Sequence, residues 1–555
     1  MRLSSLASFV IAFVALVYFG CAGGGQEEDE QLRVTGTAPA DLEVGVPLET
    51  KVRAQLNADI NPTTLSTTTF TLFELDGAQV PGTVEIGQTP DIAVFTPDEA
   101  LTLITTYTAT VTTGLSDVSD RMLEEPYSWS FTTLDAGWGT PELIARQDLG
   151  FAARPQVAVD GEGNAHSVWQ QFDGIRTGIW ANRFTPIEGW GTAERIEVDD
   201  TTDAVEPQLA VDPNGVAHAV WAQSGGGSNI FANRYMPGQG WGTAELIQTG
   251  EVTLALGPQV AVDPDGNAIA VWLQFDLEST GSVVWANRYT TSSGWGDAEL
   301  IDSVAPGLRG LPMDVAMDAN GNAVAVWTQG EPVRPKDIWA NRYTPSEGWS
   351  TAELLETEDL GNASAPQVAI DPDGNAHAVW QQFDGTAQNI LTNRYTPGEG
   401  WGSAELLETD MGTASGPAVT VDPTGVTHAV WSQSDGTLTN ILTNRYTPGE
   451  GWGTPELIET PIEDPEEEGS AARPRVAVDP NGNAFAVWEQ ETPTALNIWS
   501  NHYTPGEGWA TAELIEQEFF FGSRPQVAVD SDRRAHAVWE QSDGERINIS
   551  TNRFQ

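Results

Sequence analysis

The sequence predicts an all-β protein, a small β-sandwich followed by an eight-bladed β-propeller whose last blade is closed by an N-terminal outer strand. Three observations carry this. A unit with a period of about 50 residues, the range of solenoids and propellers, recurs eight times, marked by the Trp of a Gly-Trp step at Trp138, Trp190, Trp241, Trp295, Trp349, Trp401, Trp452 and Trp509. Within the unit Pro366–Glu408, four short runs bounded by Gly, Pro, Asn or Asp read as strands A to D: PQVAID, NAHAVWQQ, NILTNRY and GWGSAELLE. The repeat region opens with an orphan D strand, Gly137 to Ile144, and ends at Phe554 and Gln555 just after a C strand. If the first strand completes the last unit, eight full blades result and no sheet edge stays open.

The connections within the unit justify the hairpins. Between A and B, Asp371-Pro372-Asp373-Gly374-Asn375 places Pro where a type I turn fixes φ and Gly where φ becomes positive. Thr396-Pro397-Gly398-Glu399-Gly400 uses the same chemistry between C and D. Four antiparallel strands with a recurrent Trp between neighbours match blades that each cover the apolar face of the next.

Ahead of the repeats, residues 1–20 read as a secretory leader: an apolar run from Leu3 to Phe19 behind Arg2. Cys21, the only cysteine, sits where a lipoprotein leader is cut and lipidated, and residues 21–31 form a Gly-rich, then acidic tether. The site resembles a bacterial lipobox, with Gly20 in place before the Cys but Tyr18 and Phe19 departing from the pattern; an uncleaved membrane anchor is the alternative. That resemblance implies a signal, palmitate on Cys21, and attachment to the outer membrane of a Gram-negative cell, since Ala22 rather than Asp follows. With one Cys, disulfides play no part.

Residues 32–134 lack the repeat and alternate in Thr106–Thr112 and Tyr127–Phe131, which gives strands of a sandwich. The segment resembles the SbsA-type bacterial Ig-like domain on FTP, TTYTATV and YSWSFTT, which implies a non-catalytic surface module. The propeller then takes residues 137–555.

Charge narrows the partners. Asp and Glu total 79 against 25 Lys and Arg, a formal net charge of -54, and the only lysines are Lys51 and Lys336. Nucleic acid is disfavoured as a ligand.

Most recurrent polar residues read as scaffold. The Asp-Pro-Asp-Gly-Asn turn offers oxygens that suit calcium, but lacks the downstream Glu of an EF-hand, and its second Asp is Asn214, Asn320, Thr424 or Asn481 elsewhere. The first Asp is expected to cap backbone donors, with bound Ca2+ the lesser expectation; no other cofactor and no other metal site is read. His166, His218, His377, His428 and His536 share one B-strand position with Ile269, Val324 and Phe485, which marks a packing position. The C-strand Arg (Arg183, Arg234, Arg288, Arg342, Arg394, Arg445, Arg553) is expected to pair with a D-strand Glu such as Glu405 or Glu456. The Gln two residues after the B-strand Trp, as in Gln382 and Gln541, is expected to satisfy backbone groups between blades.

The turn-and-Trp hairpin, VDPDGNAHAVW in consensus, resembles those of sialidase-like and NHL-type propellers. The acid, Tyr-Glu pair and three arginines of a sialidase have no residue-by-residue match here, so that resemblance implies fold alone.

One group breaks the repeat. Arg154, Arg473 and Arg524 each precede the Pro of strand A, in the first, seventh and eighth units, which become neighbours if the ring closes. Arg176 and Arg546 lie on B-C loops of the same side, and Phe151 and Phe520 add apolar surface. This candidate ligand-binding patch suits a carboxylated or sulfated glycan or an acidic peptide tail. The first reading is a non-enzymatic, membrane-tethered scaffold for an extracellular glycan or protein, with no catalytic residues. The second is a glycoside hydrolase or lyase of the sialidase-like type.

Overall fold

In a computed structural model the described residues are 31–554, apart from 47–49, 76, 88, 99–100, 103–104, 134–136, 147–148, 198–201, 225–226, 250–253, 276–281, 303–307, 331–334, 357–360, 409–411, 460–468 and 517–520. The leader, Cys21, most of the tether and Phe520 lie outside them. Every regular element among the described residues is a strand, and the chain divides into two compact units after Ala136.

The first unit contains β1 (Val34–Ala38), β2 (Glu43–Val46), β3 (Val52–Leu56), β4 (Phe70–Glu74), β5 (Gly82–Ile86), β6 (Ile92–Pro97), β7 (Thr106–Val111) and β8 (Tyr127–Thr133). They form two four-stranded sheets, β1-β3-β6-β5 and β2-β8-β7-β4. The alternation along β7 buries Tyr107, Ala109 and Val111, which join Phe70, Phe95 and Trp129 in the core between the sheets.

The second unit opens with β9 (Glu142–Leu143) and continues as eight repeated sheets: sheet 1 (Ala152–Arg195), sheet 2 (Ala204–Leu246), sheet 3 (Leu254–Leu300), sheet 4 (Leu308–Leu354), sheet 5 (Ala363–Leu406), sheet 6 (Ala414–Leu457), sheet 7 (Ala471–Leu514) and sheet 8 (Gly522–Arg553). Each is an antiparallel meander whose strands run A-B-C-D in order. Strand D is broken in two, as in Gly400–Trp401 and Glu405–Leu406, and both pieces pair with strand C. In sheet 8 the fourth strand is β9, with Ser550 opposite Leu143 and Thr551 opposite Glu142, and Trp138 bridges Phe554.

The turns form as their composition dictates. Asp371 Oδ1 accepts the N–H groups of Asp373 (3.0 Å) and Asn375 (2.9 Å), Oδ2 accepts the Asn375 side chain (2.8 Å), and Gly374 takes φ 81°. The Asp carboxylate thus accepts three hydrogen bonds from its own loop.

Packing between successive sheets supplies the core. Trp380 is fully buried against Val324, Val326 and Ile338 of the preceding sheet. Burying one Trp removes about 200 Å² of surface, worth on the order of 5 kcal/mol before entropy. The same arrangement joins the last sheet to the first, where Trp169 packs with Val538 and Ile549. The five B-strand histidines are buried too, and His166 meets Tyr235 of the next sheet edge-on at 4.6 Å. Burial pushes His166 down to about 3, so it stays neutral as a packing group.

One expected pairing differs, and a second forms with an additional partner. The C-strand Arg does not pair with the D-strand Glu, because the register sets Glu405 opposite Thr392 rather than Arg394. Each of these arginines instead lies over an aromatic ring of the next sheet at 4.9–5.6 Å, from Arg183 over Tyr235 to Arg553 over Phe184. The B-strand Gln accepts from its own Trp, as Trp380 Nε1–H donates to Gln382 Oε1 at 3.1 Å. Its amide then reaches the neighbouring connection: Gln171 Nε2 donates to the Arg146 carbonyl at 2.7 Å, and Gln382 Nε2 to the Glu356 carboxylate at 2.7 Å.

Candidate functional site

Strand A begins before the Pro rather than at it, and it bulges there: the register slips between Ala153 and Gln156, and at the same place in the other sheets. The residue before the Pro consequently turns left-handed. Arg154 has φ 55°, Arg473 and Arg524 have φ 53°, Glu206 and Ala365 in sheets 2 and 5 have φ 59° and 53°, and Gly257 and Gly416 stand there in sheets 3 and 6. A left-handed non-Gly residue costs about 1–2 kcal/mol.

The bulge swings this residue's N–H out of the ladder, and the preceding sheet supplies an acceptor. Glu540 Oε1 takes the Arg154 N–H at 2.8 Å and Glu489 Oε1 takes that of Arg524 at 2.7 Å. Gln170 does the same for Glu206 (3.0 Å), and Gln381 for Gly416 (3.0 Å). All of these acceptors sit one residue after the B-strand Trp.

The three arginines that the sequence singled out meet in one cavity of about 490 Å³, lined by A strands of six sheets and including Glu206, Met313 and Arg475. Arg154 Nη1 pairs with Glu206 Oε1 at 2.9 Å, Arg473 Nη1 with Glu489 Oε1 at 2.9 Å, and Arg524 Nη1 approaches Glu540 Oε1 at 3.5 Å. Their side chains remain roughly half exposed, at 43%, 58% and 46%, whereas Glu489 and Glu540 are buried at 4% and 8%. Glu489 and Glu540 hold their guanidinium groups from buried positions, Glu206 shares the cavity lining with Arg154, and the exposed parts of the three arginines border the cavity.

The other expected members stand apart. Arg176, Arg546 and Phe151 are absent from the cavity lining. Arg176 lies on the B-C loop of sheet 1, where its N–H is fixed by Asp173 Oδ1, and Arg546 Nη1 donates to the Leu149 carbonyl at 3.2 Å. B-C loops sit between the second and third strands, one strand further from the inner edge than the bulge. Phe151 is 56% exposed.

Sequence reasoning missed Glu489, Glu540 and two further residues, Asp314 and Arg475. Both replace, in sheets 4 and 7, the Gln that follows the Pro position as Gln156, Gln208, Gln259, Gln367 and Gln526. Asp314 Oδ2 accepts the Val368 N–H at 2.9 Å. Burial pushes Asp314 up to about 7, against the pull of that N–H, of its own strand and of Arg475. The Arg475 guanidinium, lowered by burial, is held charged by Asp314 and Glu489.

Fold and site together define an all-β protein of two units, an Ig-like sandwich and a propeller-type array with an arginine-lined cavity at its inner edge. Residues 28–133 match the bacterial Ig-like domain family. No curated protein matches the chain. Among solved structures it is similar to the polysaccharide lyase Uly1 (11% identity, TM-score 0.40, covering 67% of this chain and 94% of that one). It is also similar to the intramolecular trans-sialidase of Ruminococcus gnavus (11%, 0.35, 63% and 93%) and the α-L-arabinofuranosidase Arb93A of Fusarium graminearum (14%, 0.35, 56% and 97%).

Proposed function

We propose that the chain is a cell-surface binding scaffold whose eight sheets close into a ring and whose inner cavity takes a carboxylated or sulfated extracellular ligand. The observation that carries this is the convergence of Arg154, Arg473 and Arg524 on one cavity in a chain of net charge -54. So acidic a surface repels anions at long range; beside this one opening four cationic side chains, counting Arg475, stand against three paired carboxylates, Glu206, Glu489 and Glu540, which makes a local exception. Ring closure is supported by the pairing of β9 with the final strand.

The test is a binding screen of the purified protein against carboxylated, sulfated and neutral oligosaccharides. Selective, salt-sensitive retention of the anionic members is expected, and equal indifference to all of them would discard the reading. Attachment through lipid on Cys21, to an outer membrane, belongs to the same proposal; Cys21→Ser should abolish acyl labelling, and undiminished labelling would remove it.

A second reading, a glycoside hydrolase or lyase, is favoured by Asp314, which adjoins the cavity-lining Met313, interacts with the cavity-lining Arg475 and is pushed up to about 7 by burial. Hydrolysis and elimination assays on the same panel decide it: turnover lost in Asp314→Asn supports an enzyme, and no turnover supports the scaffold.

A further inference from the structure

A different surface carries a second site. Two cavities of about 300 and 150 Å³ occupy the same position at two different junctions between sheets. The larger, between sheets 6 and 7, is lined by Arg445 and Glu456 of one sheet and Tyr503 and Trp509 of the next. The smaller, between sheets 4 and 5, is lined by the equivalent Arg342, Glu353, Tyr395 and Trp401. Both open beside the C-strand ends and D strands, away from the strand-A cavity described above.

The side chains in these pockets are arranged for a ligand with hydroxyl groups and an apolar face. The Arg guanidinium carbon lies over the Tyr ring at 5.2 Å in both junctions, and in the larger pocket the guanidinium also donates to the Tyr503 hydroxyl. Its position is therefore fixed before any ligand arrives. Glu353 and Glu456 are exposed and make no side-chain hydrogen bond or ion pair among the described residues, so four lone-pair sites per carboxylate are open to donors. Trp401 and Trp509 are half-buried and held edge-on by Tyr395 and Tyr503 at 5.6 and 5.8 Å, which leaves part of each indole as a rigid apolar wall.

Each pocket carries one cation and two carboxylates, Glu456 and Glu507 in the larger and Glu353 and Glu347 in the smaller, so an anion is disfavoured there. A neutral ring with adjacent hydroxyls uses all three elements: donors to the Glu, acceptors to the Arg, and C–H groups on the Trp. The volumes lie at or below the lower end of the roughly 300–1,000 Å³ of larger-ligand sites, room for a single ring.

We propose that these pockets bind one neutral monosaccharide unit each and that the array is multivalent. Six junctions hold the Arg-over-Tyr arrangement, from Arg183 over Tyr235 to Arg445 over Tyr503. The other two are altered: Arg553 lies over Phe184, and His502 replaces the Arg beside Phe554. The Tyr hydroxyl is missing from both, and these junctions are the weak or silent ones. Weak single sites held on one rigid frame raise avidity for a surface that displays many copies. The inference rests on the junction pockets and stands apart from the anion site.

The test is calorimetric titration of the full chain with neutral aldohexoses, 6-deoxyhexoses and N-acetylhexosamines, in parallel with Glu353→Gln/Glu456→Gln. At least one sugar should bind with a stoichiometry well above one and approaching six, and the variant should lose about two sites with unchanged melting. The Arg154→Ala/Arg473→Ala/Arg524→Ala variant should keep every one, which separates failure here from failure at the anion site. Absence of saturable binding across the panel, or binding that the Glu variant leaves untouched, would overturn the proposal.

Discussion

Glu540 and Arg154 lie 386 residues apart, yet the Glu540 carboxylate accepts the Arg154 backbone N–H at 2.8 Å, joining sheet 8 to sheet 1. Glu540→Ala orphans a partly buried donor, which costs about 1–3 kcal/mol. Glu540→Gln keeps an acceptor and should fall within about 1 kcal/mol of wild type. Chemical unfolding of both variants checks this, and equal stability of the two would detach the contact from closure.

Deleting residues 137–144 removes β9 and leaves the last strand of sheet 8, Ile547–Arg553, as an open edge. Unpaired N–H and C=O groups there invite association with another chain. Lower melting or oligomers in light scattering are expected; a monomer with unchanged melting would contradict ring closure.

Arg154→Gly separates backbone from side chain. Relief of the left-handed strain, about 1–2 kcal/mol, offsets the flexibility of Gly, about 1 kcal/mol. The ion pair to Glu206 is partly exposed, at 43% and 23%, and adds no more than about 1 kcal/mol. Stability should therefore stay within about 1 kcal/mol of wild type, while anion binding falls.

Asp314 gives a pH signature. Its folded value, about 7, lies above the ordinary 3.8, so the folded state favours the protonated acid. Its contribution is fully present below about pH 4 and is lost as pH rises towards 7. Asp314→Asn removes that loss, so the variant's melting temperature should gain on wild type from pH 4 to pH 8. A pH-independent gap would show that Asp314 does not titrate in this range.

Architecture was legible because the repeat writes it in turn chemistry: the DPDGN and TPGEG loops and the recurring Trp fix strand order, and the orphan D strand before Ala152 could be matched to sheet 8. Arg154, Arg473 and Arg524 were legible because they share one column of the repeat. Their partners were not, since Glu489 and Glu540 stand in a column that otherwise holds Gln170, Ala222, Leu273, Thr328, Gln381 and Ser432. The strand-A bulge that turns the N–H before the Pro towards that column has no sequence mark beyond the Pro. The Arg394-to-Tyr446 stacking escaped for a related reason: pairing within a hairpin can be read along the chain, and reach across a junction cannot.

If the cavity at the inner edge binds anions through its arginines, removing them removes the binding. The most direct measurement is calorimetric titration of wild type and of Arg154→Ala/Arg473→Ala/Arg524→Ala with a uronate and a sulfated oligosaccharide, at low and physiological salt. One saturable site per chain is expected in wild type, weakened by salt and reduced at least tenfold in the triple variant. Indistinguishable affinities in the two proteins would contradict it.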